Sequence, residues 1–130
     1  MNRVSLPIAK TQLKADPAPA SRRSPCPVAC ALDLLGDRWS LLIIRDLVFG
    51  RSRFKEFTAS REGIPTNILS ERLQRLLAGG VIRQTPLIEG GKRLAYALTE
   101  KGHALKPILK AVRNWGVQWE AGTRAGLGKI

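Results

Sequence analysis

Residues 63–82 read GIPTNILSERLQRLLAGGVI, and the reading of this stretch decides the fold. Leu69, Leu73, Leu76 and Leu77 recur three and four apart, the spacing that puts them on one stripe of a helix, so that stripe must face a core. The other side carries Asn67, Ser70, Glu71, Gln74 and Arg75. A face kept merely soluble is usually built from long Lys and Glu chains, whereas these are mostly short or forked hydrogen-bonding groups. Gly63 and Pro65 break the chain before the helix, Thr66 is suited to its N-cap, and Gly79-Gly80 stops it.

Downstream the period changes from helical to alternating. VIRQT (81–85) and LAYALT (94–99) are short strand-like runs joined by PLIEGGKR (86–93), which predicts a hairpin with a basic tip. Thr99 then caps a long final helix in which Leu105, Ile108, Leu109, Val112, Trp115 and Trp119 recur at three and four. Pro107 inside that pattern predicts a kink or a restart. Upstream, Pro27 suits the first turn of a helix with a stripe of Val28, Ala31, Leu32 and Leu35, ended by Gly36. Asp37 is an N-cap for a second helix, broadly apolar through Trp39, Leu41, Leu42, Ile43, Ile44 and Leu47, which should be the central buried one. Phe54 and Phe57 predict a short helix docked by both rings, leaving Arg51, Arg53 and Lys55 outside.

Composition bounds the partners. The 130 residues fit one domain, with 44 % hydrophobic and 25 % charged residues, as in an ordinary globular protein. No apolar run approaches the roughly eighteen residues of a membrane span, and no basic amphipathic helix with an aromatic face is present to lie on lipid. The opening residues lack the apolar segment of a secretory signal, which predicts a cytoplasmic location, and Cys26 and Cys30 are too few for a disulfide scaffold. Against 10 Asp+Glu stand 22 Lys+Arg, a formal charge of +12 that is best understood if a polyanion neutralises it, which points to nucleic acid. The expected organisation is a flexible basic arm over 1–25, a folded domain over 26–120 and a flexible tail over 121–130.

A fold follows from the order helix, helix, short helix, helix, two-stranded ribbon, helix: mainly α with a small β-hairpin, the winged helix-turn-helix arrangement. There the helix before the hairpin enters the DNA major groove and the hairpin tip reaches the backbone or minor groove. A helix from Thr66 to about Ala78 rises to roughly 20 Å and fits a groove about 12 Å wide. Asn and Gln can pair with adenine, Arg with guanine, and Ser with base or backbone. The expected DNA surface is therefore Thr66, Asn67, Ser70, Glu71, Arg72, Gln74 and Arg75 on the helix, with Lys92 and Arg93 on the wing and Arg51, Arg53 and Lys55 before the motif as phosphate clamps. Glu71 either accepts from cytosine or orients a neighbouring Arg. A solvated face is the plain alternative for the helix taken alone. The stripe ending in Trp115 and Trp119 exceeds what one small domain covers, which predicts a homodimer and a near-palindromic operator with half-sites about 34 Å apart.

Five landmarks in order then make the sequence specific. They are the Cys-Pro-Val at Cys26, the Gly-x-Arg-Trp of Gly36 to Trp39, the Arg-Phe-x-x-Phe of Arg53 to Phe57, the Leu-Ser-x-Arg-Leu of Leu69 to Leu73, and the Tyr-x-Leu-Thr-x-x-Gly of Tyr96 to Gly102. Over about residues 26–119 the chain resembles the HxlR-type winged-helix transcriptional regulators, relatives of the MarR group. The resemblance implies a dimeric DNA-binding repressor or activator without catalytic activity. It also implies that the first and last helices build the dimer contact, here Val28 and Leu32 with Leu105, Ile108, Leu109, Val112, Trp115 and Trp119. Several such regulators sense oxidants or electrophiles such as quinones through a cysteine matching Cys26, which makes it the sensing residue by resemblance. A thiol at a helix start, where the amides stabilise the thiolate, fits that role; a small buried apolar residue is the other reading.

Other chemistries find little in the chain. His103 is the only histidine and has no Cys/His cluster near it in sequence, so neither a metal nor a cofactor is expected. There is no Gly-rich phosphate loop, no nucleophile motif and no carboxylate pair in an apolar context, so the chain reads as no enzyme. The rival from another class is a winged helix that docks proteins without touching DNA.

Overall fold

The computed structural model describes residues 24–125. The expected arm before residue 24 and the end of the expected tail after residue 125 lie outside the described residues. The chain divides between Ala31 and Leu32 into two units, and helix α1 (Pro27–Leu35) runs across the division. In the first unit the Cys26 amide donates to Ser24 Oγ (3.0 Å) and the Cys30 thiol donates to the Ser24 carbonyl (3.1 Å). The second unit contains α2 (Ser40–Val48), α3 (Phe54–Thr58), α4 (Thr66–Ala78), the antiparallel strands β1 (Ile82–Pro86) and β2 (Leu94–Leu98), α5 (Glu100–His103) and α6 (Lys106–Trp119). The mainly α architecture with one hairpin is thus the one the sequence predicts. No helix among the described residues is long and apolar enough to cross a membrane.

The core is built from the stripes. Ile43, Ile44 and Leu47 of α2, Phe57 of α3, and Leu69, Leu73 and Leu76 of α4 are buried, together with Ile64, Val81, Ile82, Leu98, Leu105 and Leu109. Each such side chain contributes about 1.5–3 kcal/mol by leaving water. The rings of Phe57 and Tyr96 meet edge to face at 6.2 Å, and the Tyr96 amide donates to the Ser52 carbonyl (2.8 Å). These two contacts tie the hairpin to the approach of α3. Of the pair expected to dock α3, Phe57 is fully buried and Phe54 only partly.

The hairpin pairs Ile82 with Leu98 and Pro86 with Leu94, so Pro86, expected in the connection, closes the ladder instead. An end position tolerates it, because the N–H that proline lacks is not needed there. Thr99 caps α5 as expected, accepting from the Gly102 amide (3.2 Å) while its hydroxyl bonds the Val81 carbonyl (3.0 Å). That approach explains Gly102 in the last sequence landmark: a Cβ there would stand 2.2 Å from the Val81 carbonyl oxygen and 2.9 Å from Leu98. Beyond His103 the helix breaks and restarts at Lys106, with Pro107 in the first turn of α6, where its missing N–H is harmless. The expected N-cap of α4 is corrected. Thr66 is the first helical residue, and Pro65, extended at φ −64° and ψ 145°, holds the cap position with no side-chain cap bond.

Two charged clusters lock the helices. Arg45 of α2 grips Glu62 through both guanidinium nitrogens (2.9 Å each) and also the buried Asp46, which Arg51 reaches as well (3.2 Å). Asp37 does cap α2, though from two residues before its formal cap: Oδ1 accepts from the amides of Trp39 (2.8 Å) and Ser40 (2.9 Å), and Oδ2 accepts from the Ser40 hydroxyl (2.6 Å). From α4, Arg75 Nη1 donates to Oδ2 (3.3 Å), and the buried Nε of Arg72 lies 3.1 Å from Oδ1, an ion pair off the hydrogen-bond direction.

Burial alone raises the Asp37 carboxyl, but the Ser40 hydroxyl, the two amides and Arg72 outweigh it and bring it down to about 2 from 3.8. A carboxyl depressed by folding stabilises above its unfolded value, near 4, and that contribution is lost as pH falls towards 2. Its size is on the order of 2 kcal/mol. Thermal melts between pH 6 and pH 2 should therefore show the unaltered protein losing more stability than Asp37→Asn, which keeps the acceptor oxygen but does not titrate. Parallel losses in the two would contradict the assignment.

Candidate nucleic-acid interface

Burial of Leu69, Leu73 and Leu76 fixes the rotation of α4 about its axis, and with it the side that faces solvent. Thr66, Asn67, Ser70, Glu71 and Gln74 are all exposed there. At 13 residues α4 is about 20 Å long, and its outward row of amide and hydroxyl groups runs much of that length. Such groups carry donors and acceptors of the kinds that pair with base edges and phosphate oxygens.

The two arginines of α4 behave differently. Arg72, expected on the DNA surface, is turned onto the protein, its side chain 17 % exposed and held between Asp37 and Glu71. Arg75 is half-buried, shared between Asp37 and Glu71 (3.5 Å). Glu71 thus takes the role of orienting neighbouring arginines, one of the two roles the sequence left open. The pairing with Asp37 is not legible in the sequence, because Asp37 announces only a cap and nothing local links it to residues on a later helix.

Beside α4 the clamps assemble. Arg53 and Lys55 at the start of α3 and Arg93 at the base of the wing line one cleft of about 360 Å³ with Phe54, Leu87 and Leu94. The Leu87 amide donates to the Arg93 carbonyl (2.9 Å) and closes the loop that carries the exposed Lys92. No carboxylate pairs with Lys55, Lys92 or Arg93 among the described residues. Arg51 is the exception among the expected clamps, drawn to Asp46.

The expected dimer face also divides. Leu105, at the N-cap of α6, and Leu109 within it are buried in the core of their own chain, which leaves them little surface to offer a partner. Ile108, Val112, Trp115 and Trp119 lie on the outer flank and are 44–64 % exposed. On α1, Val28 and Leu32 are exposed as well, and Cys26, at its approach, is exposed while Cys30 is partly buried. Among the described residues no group of His, Cys, Asp and Glu is gathered as a metal site would require.

Comparison with known proteins places this geometry. Among curated proteins the chain is 39 % identical over 89 residues to the uncharacterised HTH-type transcriptional regulator YvaP of Bacillus subtilis, covering 68 % of this chain and 82 % of that protein. Among solved structures it is similar to PA1607, described as a putative transcription factor, with a TM-score of 0.73 at 41 % identity over 84 % of this chain and 75 % of that one. It also matches the reduced form of the transcriptional regulator YodB of B. subtilis, with a TM-score of 0.62 at 36 % identity over 76 % of this chain and 98 % of that one. YodB has been solved in quinone-bound and diamide-treated forms too. The HxlR-like helix-turn-helix family model matches residues 34–123. The chain therefore belongs to the HxlR-like helix-turn-helix family, a family of transcriptional regulators and not of enzymes.

Proposed function

We propose that this regulator binds double-stranded DNA in a sequence-specific way, as a cytoplasmic homodimer that represses transcription. The observation that carries the reading is the outward row of Asn67, Ser70 and Gln74 on a helix whose leucines are locked in the core. Thr66 and Glu71 flank that row. Cations without carboxylate partners stand beside it on α3 and the wing. A formal charge of +12 adds to the case for a polyanion over a protein partner.

Dimerisation is supported by Ile108, Val112, Trp115 and Trp119, an apolar band too large to leave in water. With a two-fold axis, the two α4 helices would read half-sites about one helical turn apart, which makes the preferred operator near-palindromic.

Cys26 is the proposed sensing residue. Its exposure in the single chain supports this reading, and the relative YodB has been solved bound to a quinone. A quinone should add to Cys26 in preference to the partly buried Cys30, as read by peptide mass spectrometry. Modification confined to Cys30, or none at all, would remove the sensing role.

For the wing the test is electrostatic. Replacing Lys92 and Arg93 together by Ala should weaken binding to all duplexes alike and flatten the dependence of log K on log salt by about 0.9 for each phosphate that is no longer neutralised. An unchanged slope would take the wing off the DNA.

A further inference from the structure

Asp37 joins two jobs in one carboxylate. Its oxygens hold the start of α2, and the same two oxygens meet Arg72 and Arg75 of α4 at 3.1 and 3.3 Å. Glu71 closes the cluster from the other side, in contact with both arginines. Two guanidinium groups therefore face two carboxylates, and the ionic groups of α4 together with Asp37 sum to zero in a chain that carries +12. Among the described residues Lys55 of α3 and Lys92 and Arg93 of the wing, which are without a carboxylate partner, lie off α4.

That division has a consequence for discrimination. Every Lys or Arg that reaches a phosphate strengthens binding to any sequence, because it releases counterions whatever the bases are. Selectivity is the ratio of specific to non-specific affinity; an arginine freed on α4 lowers that ratio because it gains more on a non-specific duplex, where the helix is free to settle against the backbone, than on the selected site, where base contacts already fix the helix. We propose that Asp37 is a specificity-determining residue: by pairing with Arg72 and Arg75 it withholds two guanidinium groups from the phosphate backbone and leaves the choice of sequence to Asn67, Ser70 and Gln74. The inference rests on the reading of α4 as the DNA-contacting helix.

The test compares two duplexes by titration at several salt concentrations: the site recovered by selection with the unaltered protein, and a shuffled duplex of equal composition. Asp37→Asn keeps an acceptor for the Trp39 and Ser40 amides and removes the charge. It should bind the shuffled duplex about tenfold more tightly, with a salt slope steeper by about 0.9 per arginine freed, and its preference for the selected site should fall. Adding Arg72→Gln and Arg75→Gln to Asp37→Asn should return the slope to that of the unaltered protein. A folded Asp37→Asn with unchanged slope and preference overturns the proposal, as does a change that persists once both arginines are gone. Glu71→Gln leaves the cap of α2 intact and should shift slope and preference the same way by a smaller amount; if Asp37→Asn does not fold, an unaltered slope in Glu71→Gln overturns the proposal. Failure of the unaltered protein to select any duplex would instead strike the underlying reading of α4, and this inference with it.

Discussion

The reading proposed for α4 depends on the burial of three leucines. Leu69, Leu73 and Leu76 are each almost wholly removed from water, and turning α4 by even one residue, about 100°, would swing them out of the core. At roughly 1.5–3 kcal/mol apiece, that displacement would consume much of the stability of a small domain. The rotation of α4 is thereby set, and the outward direction of Asn67, Ser70 and Gln74 follows without any contact of their own. Rigid support of a polar row is what a reader needs, since groups positioned in advance lose little freedom on binding.

Around that axis the charges are sorted. Carboxylates are drawn in next to arginines of α2 and α4: Asp37 and Glu71 at Arg72 and Arg75, Asp46 and Glu62 at Arg45. The ion pair of Arg45 with Glu62 joins α2 to the loop that leads into α4, so it bears on where that helix begins. Lys55, Lys92 and Arg93 stay outside this network, on the two elements that flank α4. In the proposed reading, attraction to a phosphate backbone and selection among bases fall to different residues, in different places.

How much of this was legible in the sequence depended on range. The leucine stripe, the hairpin, the cap at Thr99 and the restart at Pro107 are written in neighbouring residues, where periodicity, turn chemistry and the missing proline N–H act directly. The cap of α4 was misplaced by one position because Pro65 and Thr66 both suit a helix start, and only the backbone decides between them. Arg72 read as a DNA contact because its partner Asp37 is distant in sequence and is brought beside it only by the packing of α2 and α4. Leu105 and Leu109 merged with Trp115 and Trp119 into one band for a similar reason. A helical wheel shows which residues are apolar, while the neighbouring helix determines which flank of the band it covers. Glu62 carried no signal at all, since a lone acid before a Gly-Ile-Pro turn looks like an ordinary loop residue.

The central claim, that the solvent face of α4 reads duplex DNA, meets its most direct test in selection from a pool of random duplexes, run side by side for the unaltered protein and for Gln74→Ala. The account predicts a two-fold symmetric site from the unaltered protein, with half-sites about 34 Å apart, and a loss of base preference at one position of each half-site in the variant. Identical sites from both proteins, or no enriched site from either, would contradict it.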